Sequence, residues 1–224
     1  YLGFSALAVQ EGRSFDEPGR VIGSDLITMV DDPFDPNGLP MAFDYEGVPT
    51  RRVVMIEGGV CREVVHDAAT AARAGMPSTG HGLPAPNPFG PFPLHAAMAP
   101  GTTPRAELVR GLGRGLIVTR FHYTNVVHGK LAIITGMTRD GTFLVEDGEI
   151  VGPVRNLRFT QSYLDALAAV EAVSSGRRLL RCVPGAVLVA HLAGRPAAQH
   201  VAGRHICPRL DRLVGQNLES HRIM

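Results

Sequence analysis

A chain of 224 residues that is 45% hydrophobic and 19% charged has enough apolar sequence for one large core or two small ones. Its formal net charge of +1 gives no electrostatic case for nucleic acid or an anionic membrane as a partner. The 26 glycines and 17 prolines point to many turns and a strand-rich fold, and no apolar run reaches the roughly 18 residues a membrane-spanning helix needs.

In chain order, the opening "YLGFSALAV" has neither a basic leader nor an initial methionine and reads as a chain entered partway through. In "DDPFDPNGLP" (31–40) proline fixes φ and Asn37–Gly38 accepts left-handed geometry, so a loop is expected. "RRVVMIEGGVCREVVHD" (51–67) predicts a strand, a tight turn at Gly58–Gly59 and a second strand. "DAATAARAG" (67–75) predicts a short helix, opened by Asp67 and stopped by Gly75. "STGHGLPAPNPFGPFPLH" (78–95) holds three glycines and five prolines in eighteen residues, an extended loop whose path is restricted throughout.

"PRAELVRGLGRG" (104–115) allows one or two helical turns before its glycines. "LIVTRFHYTNVV" (116–127) and "LAIITGMT" (131–138) are β-branched, aromatic runs, each a strand. "GTFLVEDGEIVGPVRNLRF" (141–159) predicts a hairpin with Asp147–Gly148 at its tip. "SYLDALAAVEAV" (162–173) predicts a helix, with Ser162 and Asp165 placed like a capping box and Leu164, Leu167 and Val170 facing the sheet. Hairpins with interspersed helices make the fold α+β: a mostly antiparallel, curved or barrel-like sheet with a few packed helices. From residue 181 the character changes: six arginines, two acidic residues and many alanines read as a divergent tail, disordered or non-native, after a domain spanning 1–180. Three cysteines, Cys61, Cys182 and Cys207, make no disulfide framework and favour a reducing cytoplasm.

Six segments carry a resemblance through their order and spacing: "DLITMVDDP", "DYEGVPTRRVVMIEGGV", "PSTGHGLPAPNPFGPFP", "GLIVTRFHYTNVV", "GMTRDGTFLVEDGEI" and "PVRNLRFTQS". Together, over roughly residues 23–176, they resemble the C-terminal domain of the TldD/PmbA family (TldD/TldE, modulator of DNA gyrase), a metallopeptidase family. The resemblance implies cytoplasmic proteolysis of peptides or unfolded polypeptide by a zinc peptidase, or a metal-free partner subunit of one. It implies a largely β domain, barrel-like in part, with the family's N-terminal domain absent from this chain. It also implies a homo- or heterodimer of TldD- and PmbA-type subunits around a peptide cavity. Active subunits carry HExxxH, whose histidines bind zinc while the glutamate handles the water proton, and a third cysteine ligand in a "CG" context. None of the nine histidines here precedes glutamate, Cys182 precedes valine and Cys207 precedes proline. The chain alone is therefore expected to be inactive and to hold no cofactor; zinc would belong to the full-length protein or to a partner subunit. The alternative is a non-enzymatic peptide-binding or subunit-assembly module.

Among individual residues, His81, His122 and His128 are the central histidines to weigh as zinc ligands. His122 and His128, six apart, share a face of a continuous strand. Surface or structural roles are the preferred reading, and no metal site is assigned. Cys61 with His66 could be a nucleophile and base, against a buried small cysteine beside a polar histidine, which is preferred. Gly111, Gly113 and Gly115 precede a strand rather than follow one, so close packing is preferred to a phosphate loop. Arg120, Asn125, Arg139 and Asp140 could line the peptide cavity or the dimer contact, or simply pair within the sheet. Ser78, His81 and Asn87 are read as contacts on a rigid wall of that cavity, the alternative being a covering loop with no ligand.

Overall fold

The computed structural model describes residues 2–177 and 192–193. A 3₁₀ turn (Leu2–Phe4) leads into α1 (Ala6–Gln10), followed by β1 (Met29–Asp31), β2 (Val53–Glu57), β3 (Val60–Cys61), α2 (Ala68–Ala74) and β4 (Ala96–Met98). These strands form an antiparallel sheet in the order β3-β2-β1-β4. In "VVMIE" Val53, Met55 and Ile56 are fully buried, and with Phe4, Ile22, Ile27, Cys61, Val65, Val170 and Val173 they make the core. Each such side chain contributes about 1.5–3 kcal/mol.

The β2–β3 turn falls at Gly58–Gly59 as expected, with both residues at positive φ. A Cβ on Gly59 would lie 2.3 Å from the Gly23 carbonyl oxygen, so only glycine fits. The second strand is shorter than its sequence pattern, ending at Cys61, because the chain turns away to bridge Ser5 at Val65. The helix at 67–75 is present with a full capping box. Asp67 accepts from the Thr70 amide at 2.8 Å, and the Asp67 amide donates back to the Thr70 hydroxyl at 3.1 Å.

The chain continues through α3 (Arg105–Arg110), β5 (Arg114–His128), β6 (Ile133–Glu146), β7 (Glu149–Pro153), β8 (Arg158–Ser162), α4 (Tyr163–Ala168), β9 (Ala172–Val173) and β10 (Leu192–Ala193), the last two paired with each other. β6 is the centre of the second sheet, with β5 along one side and β7 and β8 sharing the other. Among the described residues all strand pairs are antiparallel, as expected, and both four-stranded sheets are open rather than closed into a barrel.

Two departures from the sequence pattern have local causes. "TRDG" does not end a strand: Asp140 and Gly141, at φ 62° and 135°, bulge out of β6, and the Thr119 hydroxyl lies 2.9 Å from the Arg139 and Gly141 carbonyls on either side. The expected helix over 162–173 stops at Ala168. The β-branched Val170 and Val173 are buried beyond its end, where Val173 pairs as β9, while Leu164 and Leu167 pack on the core as predicted. Ser162 caps α4 through the Asp165 amide at 3.4 Å. The division expected at residue 180 lies outside the described residues.

Candidate functional site

The loop over 78–95 is fastened from inside. β1 lies between β2 and β4, so its last residue, Asp31, stands opposite Val53 on one side and Ala96 on the other, fully buried. His81 Nε2 donates to Asp31 Oδ1 at 2.9 Å, and the His95 amide donates to Oδ2 at 2.7 Å. The His95 ring nitrogen Nδ1 lies 3.4 Å from Oδ1. Burial alone would raise the Asp31 carboxyl, but these histidine hydrogen bonds and the His81 charge hold it below the usual carboxylate range. On the far side of His81, Nδ1 is 2.8 Å from the Thr79 hydroxyl, which itself accepts from the His66 amide at 2.7 Å and lies 2.9 Å from the His66 carbonyl. That hydroxyl can donate to a neutral His81 or accept from an imidazolium while donating to His66, so either state is satisfied without moving a heavy atom.

The other expected contacts of this loop are engaged within the chain. Ser78 Oγ donates to the His66 carbonyl at 3.1 Å and accepts from the Gly80 amide at 3.2 Å. Asn87 closes a turn, accepting from the Phe89 amide at 2.9 Å and donating to the Gly90 carbonyl at 2.8 Å. The loop is thus fastened by its own hydrogen bonds, with His81 inside it and Ser78 and Asn87 shaping it.

Arg120, Asn125 and Arg139 are brought together elsewhere. In the register of β5 on β6, Arg120 stands opposite Arg139, His122 opposite Met137 and Asn125 opposite Thr135. β8 adds Arg158 opposite Met137 and Thr160 opposite Thr135. Opposed residues share a face, so Arg120, His122, Asn125, Arg139 and Arg158 lie on one side of the sheet. The Thr160–Thr135 side-chain bond marks the same side. The reverse side holds Phe121 against Phe159, ring centroids 4.9 Å apart, beside buried Thr138. Arg120 pairs with Asp140 at 2.6 Å, while Arg139 and Arg158 have no ion pair among the described residues. His122 and Arg158 join this group only through strand register, which no local signal in the sequence encodes.

The remaining candidates resolve structurally. His122 and His128 do share a face, two bulges in β5 cancelling each other, but they pair with Met137 and Ile133, four residues apart along β6. That is about 13 Å at 3.3 Å per residue, too far to share an ion, and His81 is buried against Asp31. No group of three His, Cys, Asp or Glu among the described residues is arranged to hold a metal. Gly111 ends α3, and the Gly113 and Leu112 carbonyls accept from the Asp147 and Gly148 amides. The glycine series therefore seats the hairpin tip with carbonyls rather than cradling a phosphate with amides.

Cys61 is buried beside Asp16, not engaged with His66. Desolvation and the adjacent carboxyl push its thiol up to about 11, which removes it as a nucleophile. Burial pushes the Asp16 carboxyl itself up to about 6, opposed by the Cys61 thiol, and neither carboxyl oxygen has a full hydrogen bond. An acid raised in the folded state binds its proton more tightly there than in the unfolded chain. Stability therefore falls as pH rises from the unfolded value, about 4, to the folded one. Asp16→Asn should raise the melting temperature at about pH 7.5 and change it little near pH 4; equal shifts at both would contradict the buried-carboxylate account.

A model of the PmbA/TldA metallopeptidase C-terminal domain matches residues 2–198. A metalloprotease of Methanothermobacter thermautotrophicus is 27% identical over 165 residues, covering 72% of this chain and 35% of that protein. A zinc metalloprotease TldD homolog of Saccharolobus solfataricus is 27% identical over 167 residues, covering 68% and 35%. The crystal structure of TldE from Thermococcus kodakarensis superposes with a TM-score of 0.76 at 25% identity, covering 86% of this chain and 44% of that one. The chain spans about a third of the length of the curated relatives it matches. With the open antiparallel sheets and the locked Gly/Pro loop in the same architecture, the chain belongs to the PmbA/TldA (TldD/PmbA) metallopeptidase family, as its C-terminal domain.

Proposed function

We propose that this chain forms part of a TldD/PmbA-type peptidase assembly in the cytoplasm, supplying a wall of the space in which peptides or unfolded chains are held. The zinc chemistry lies in HExxxH, outside these 224 residues, in the full-length protein or in a partner subunit. The observation that carries this reading is the match over residues 2–198 to a metallopeptidase domain. It is supported by a loop fastened on a buried carboxylate and by an exposed face of arginine and asparagine on the second sheet.

In such an assembly the chain's own residues bind and orient, and a zinc held by HExxxH elsewhere would supply polarisation of the scissile carbonyl and activation of water. His81, held between Asp31 and Thr79, fixes the loop rather than moving a substrate proton. In this reading Arg120 and Arg139 hold carboxylates of the polypeptide.

The test combines the purified chain with a TldD-type subunit that carries HExxxH. Co-elution and faster cleavage of an unstructured polypeptide than either component achieves are expected, with zinc far below one per chain in the isolated domain. Tightly held stoichiometric zinc in the chain alone, or no effect on a subunit with which it co-elutes, would overturn the reading. Co-elution without any change in cleavage would favour the assembly-module alternative.

A further inference from the structure

We infer that the exposed face of β5, β6 and β8 is a docking surface for an extended, acidic stretch of polypeptide substrate. Arg120 and Arg139 face each other across two strands, an arrangement that costs stability in a sheet. Arg158 stands one row further, opposite Met137, and the half-buried His122 completes that row. Of these three guanidinium groups only Arg120 has a carboxylate partner, Asp140, and the other two have no acidic partner among the described residues. Nothing in the folding of the sheet requires this surplus, because the packed side is the opposite one, held by Phe121, Phe159 and Thr138.

The unpaired positive charge selects the ligand. Neighbouring strands lie about 4.8 Å apart and alternate residues of a strand about 6.6 Å. Arg120 and Arg139 are therefore one strand apart, about 5 Å, and Arg158 is a further strand and row away, about 8 Å from Arg139, so neighbouring carboxylates of one chain lying on the face can meet them. Guanidinium groups favour such carboxylates through paired, planar hydrogen bonds, and Asn125 offers an amide in the next row. β5 pairs with β6 alone among the described strands, so its outer edge lies open beside this face to take an extended backbone. A nucleic acid is disfavoured: the patch is a few charges wide, Asp140 sits within it, and the chain's net charge is +1.

The inference rests on the peptide-binding reading above, but its test needs no peptidase. Fluorescence anisotropy of the chain with a labelled peptide alternating glutamate and serine should show binding at low salt that weakens as salt rises. An alternating lysine–serine peptide should not bind. Arg139→Glu with Arg158→Glu should weaken the glutamate peptide at least tenfold. Because Arg139→Glu sets a carboxylate opposite Arg120, that variant should melt at or above the wild-type temperature, so lost binding cannot be lost folding. An unchanged affinity in the double variant, or no glutamate–serine binding by the wild-type chain, would overturn the inference. Tighter binding of a labelled DNA duplex, lost in the same variant, would also overturn it and assign the face to phosphate. A partner subunit that co-elutes equally with wild type and double variant leaves the assembly proposal intact whichever way the peptide result falls.

Discussion

Asp31→Ala will destabilise the domain by about 3–5 kcal/mol, the cost of removing a buried carboxylate that two buried donors share and leaving both unpaired. The carboxylate is fully buried and receives His81 Nε2–H and the His95 amide, one on each oxygen. Alanine leaves both donors without acceptors in a site water does not reach, and releases both ends of the loop over 78–95 together. Its sequence neighbour Asp32 gives the control. Asp32 bonds the exposed Phe34 amide at 3.0 Å and faces Arg52 at 3.5 Å near solvent, so Asp32→Ala should cost only about 0.5–1 kcal/mol. Urea unfolding at neutral pH measures both.

The sign of the pH dependence follows from the depressed Asp31 carboxyl. A group whose folded pKa is lowered contributes fully above its unfolded pKa, about 4, and loses that contribution as pH falls through the lower folded value. The difference between wild type and Asp31→Ala should therefore hold across neutral pH and shrink only in acid. Equal urea midpoints for wild type and Asp31→Ala at neutral pH would remove the clasp from the account of this loop.

Local rules explain how much of this was legible in the chain. Glycine pairs and Asp147–Gly148 specify turns within a few residues, and Asp67 with Gly75 bounds α2 by capping chemistry, so these elements stand where the sequence places them. Bulges are different. Asp140–Gly141 looks like a strand end, yet hydroxyl bonds from Thr119, some twenty residues away, hold it inside a continuous β6. The same limit governs the site. Arg120 and Arg139 are visible as candidates, but their opposition, and the addition of His122 and Arg158, depend on register between distant strands. His81 was visible too, though as a wall contact. Its partner Asp31 lies fifty residues earlier in "MVDDP", where either aspartate could have been the buried one. Only the place of β1 between β2 and β4 decides that it is the first.

Gly80→Ala should destabilise the domain by about 3 kcal/mol, from left-handed strain together with overpacking. Gly80 has φ +72°, and a Cβ there would lie 2.4 Å from the Pro49 carbonyl oxygen and 2.6 Å from the Thr50 Cα. Both are backbone atoms, so relief requires the chain itself to shift. Thr79 and His81 flank this position, and any displacement pulls at the Thr79–His81–Asp31 series, coupling a steric defect to a buried charge. Gly75 separates the two contributions. Its φ is nearly the same, +66°, but a Cβ there meets nothing within 4 Å. Gly75→Ala should therefore cost only the conformational strain, about 1–2 kcal/mol. Thermal or urea unfolding of the two variants side by side measures the difference, which is the steric part. Were Gly80→Ala no worse than Gly75→Ala, the close approach of the loop to residues 49–50 would not be a constraint on the fold, and the rigidity expected of this loop would have to come from its prolines alone.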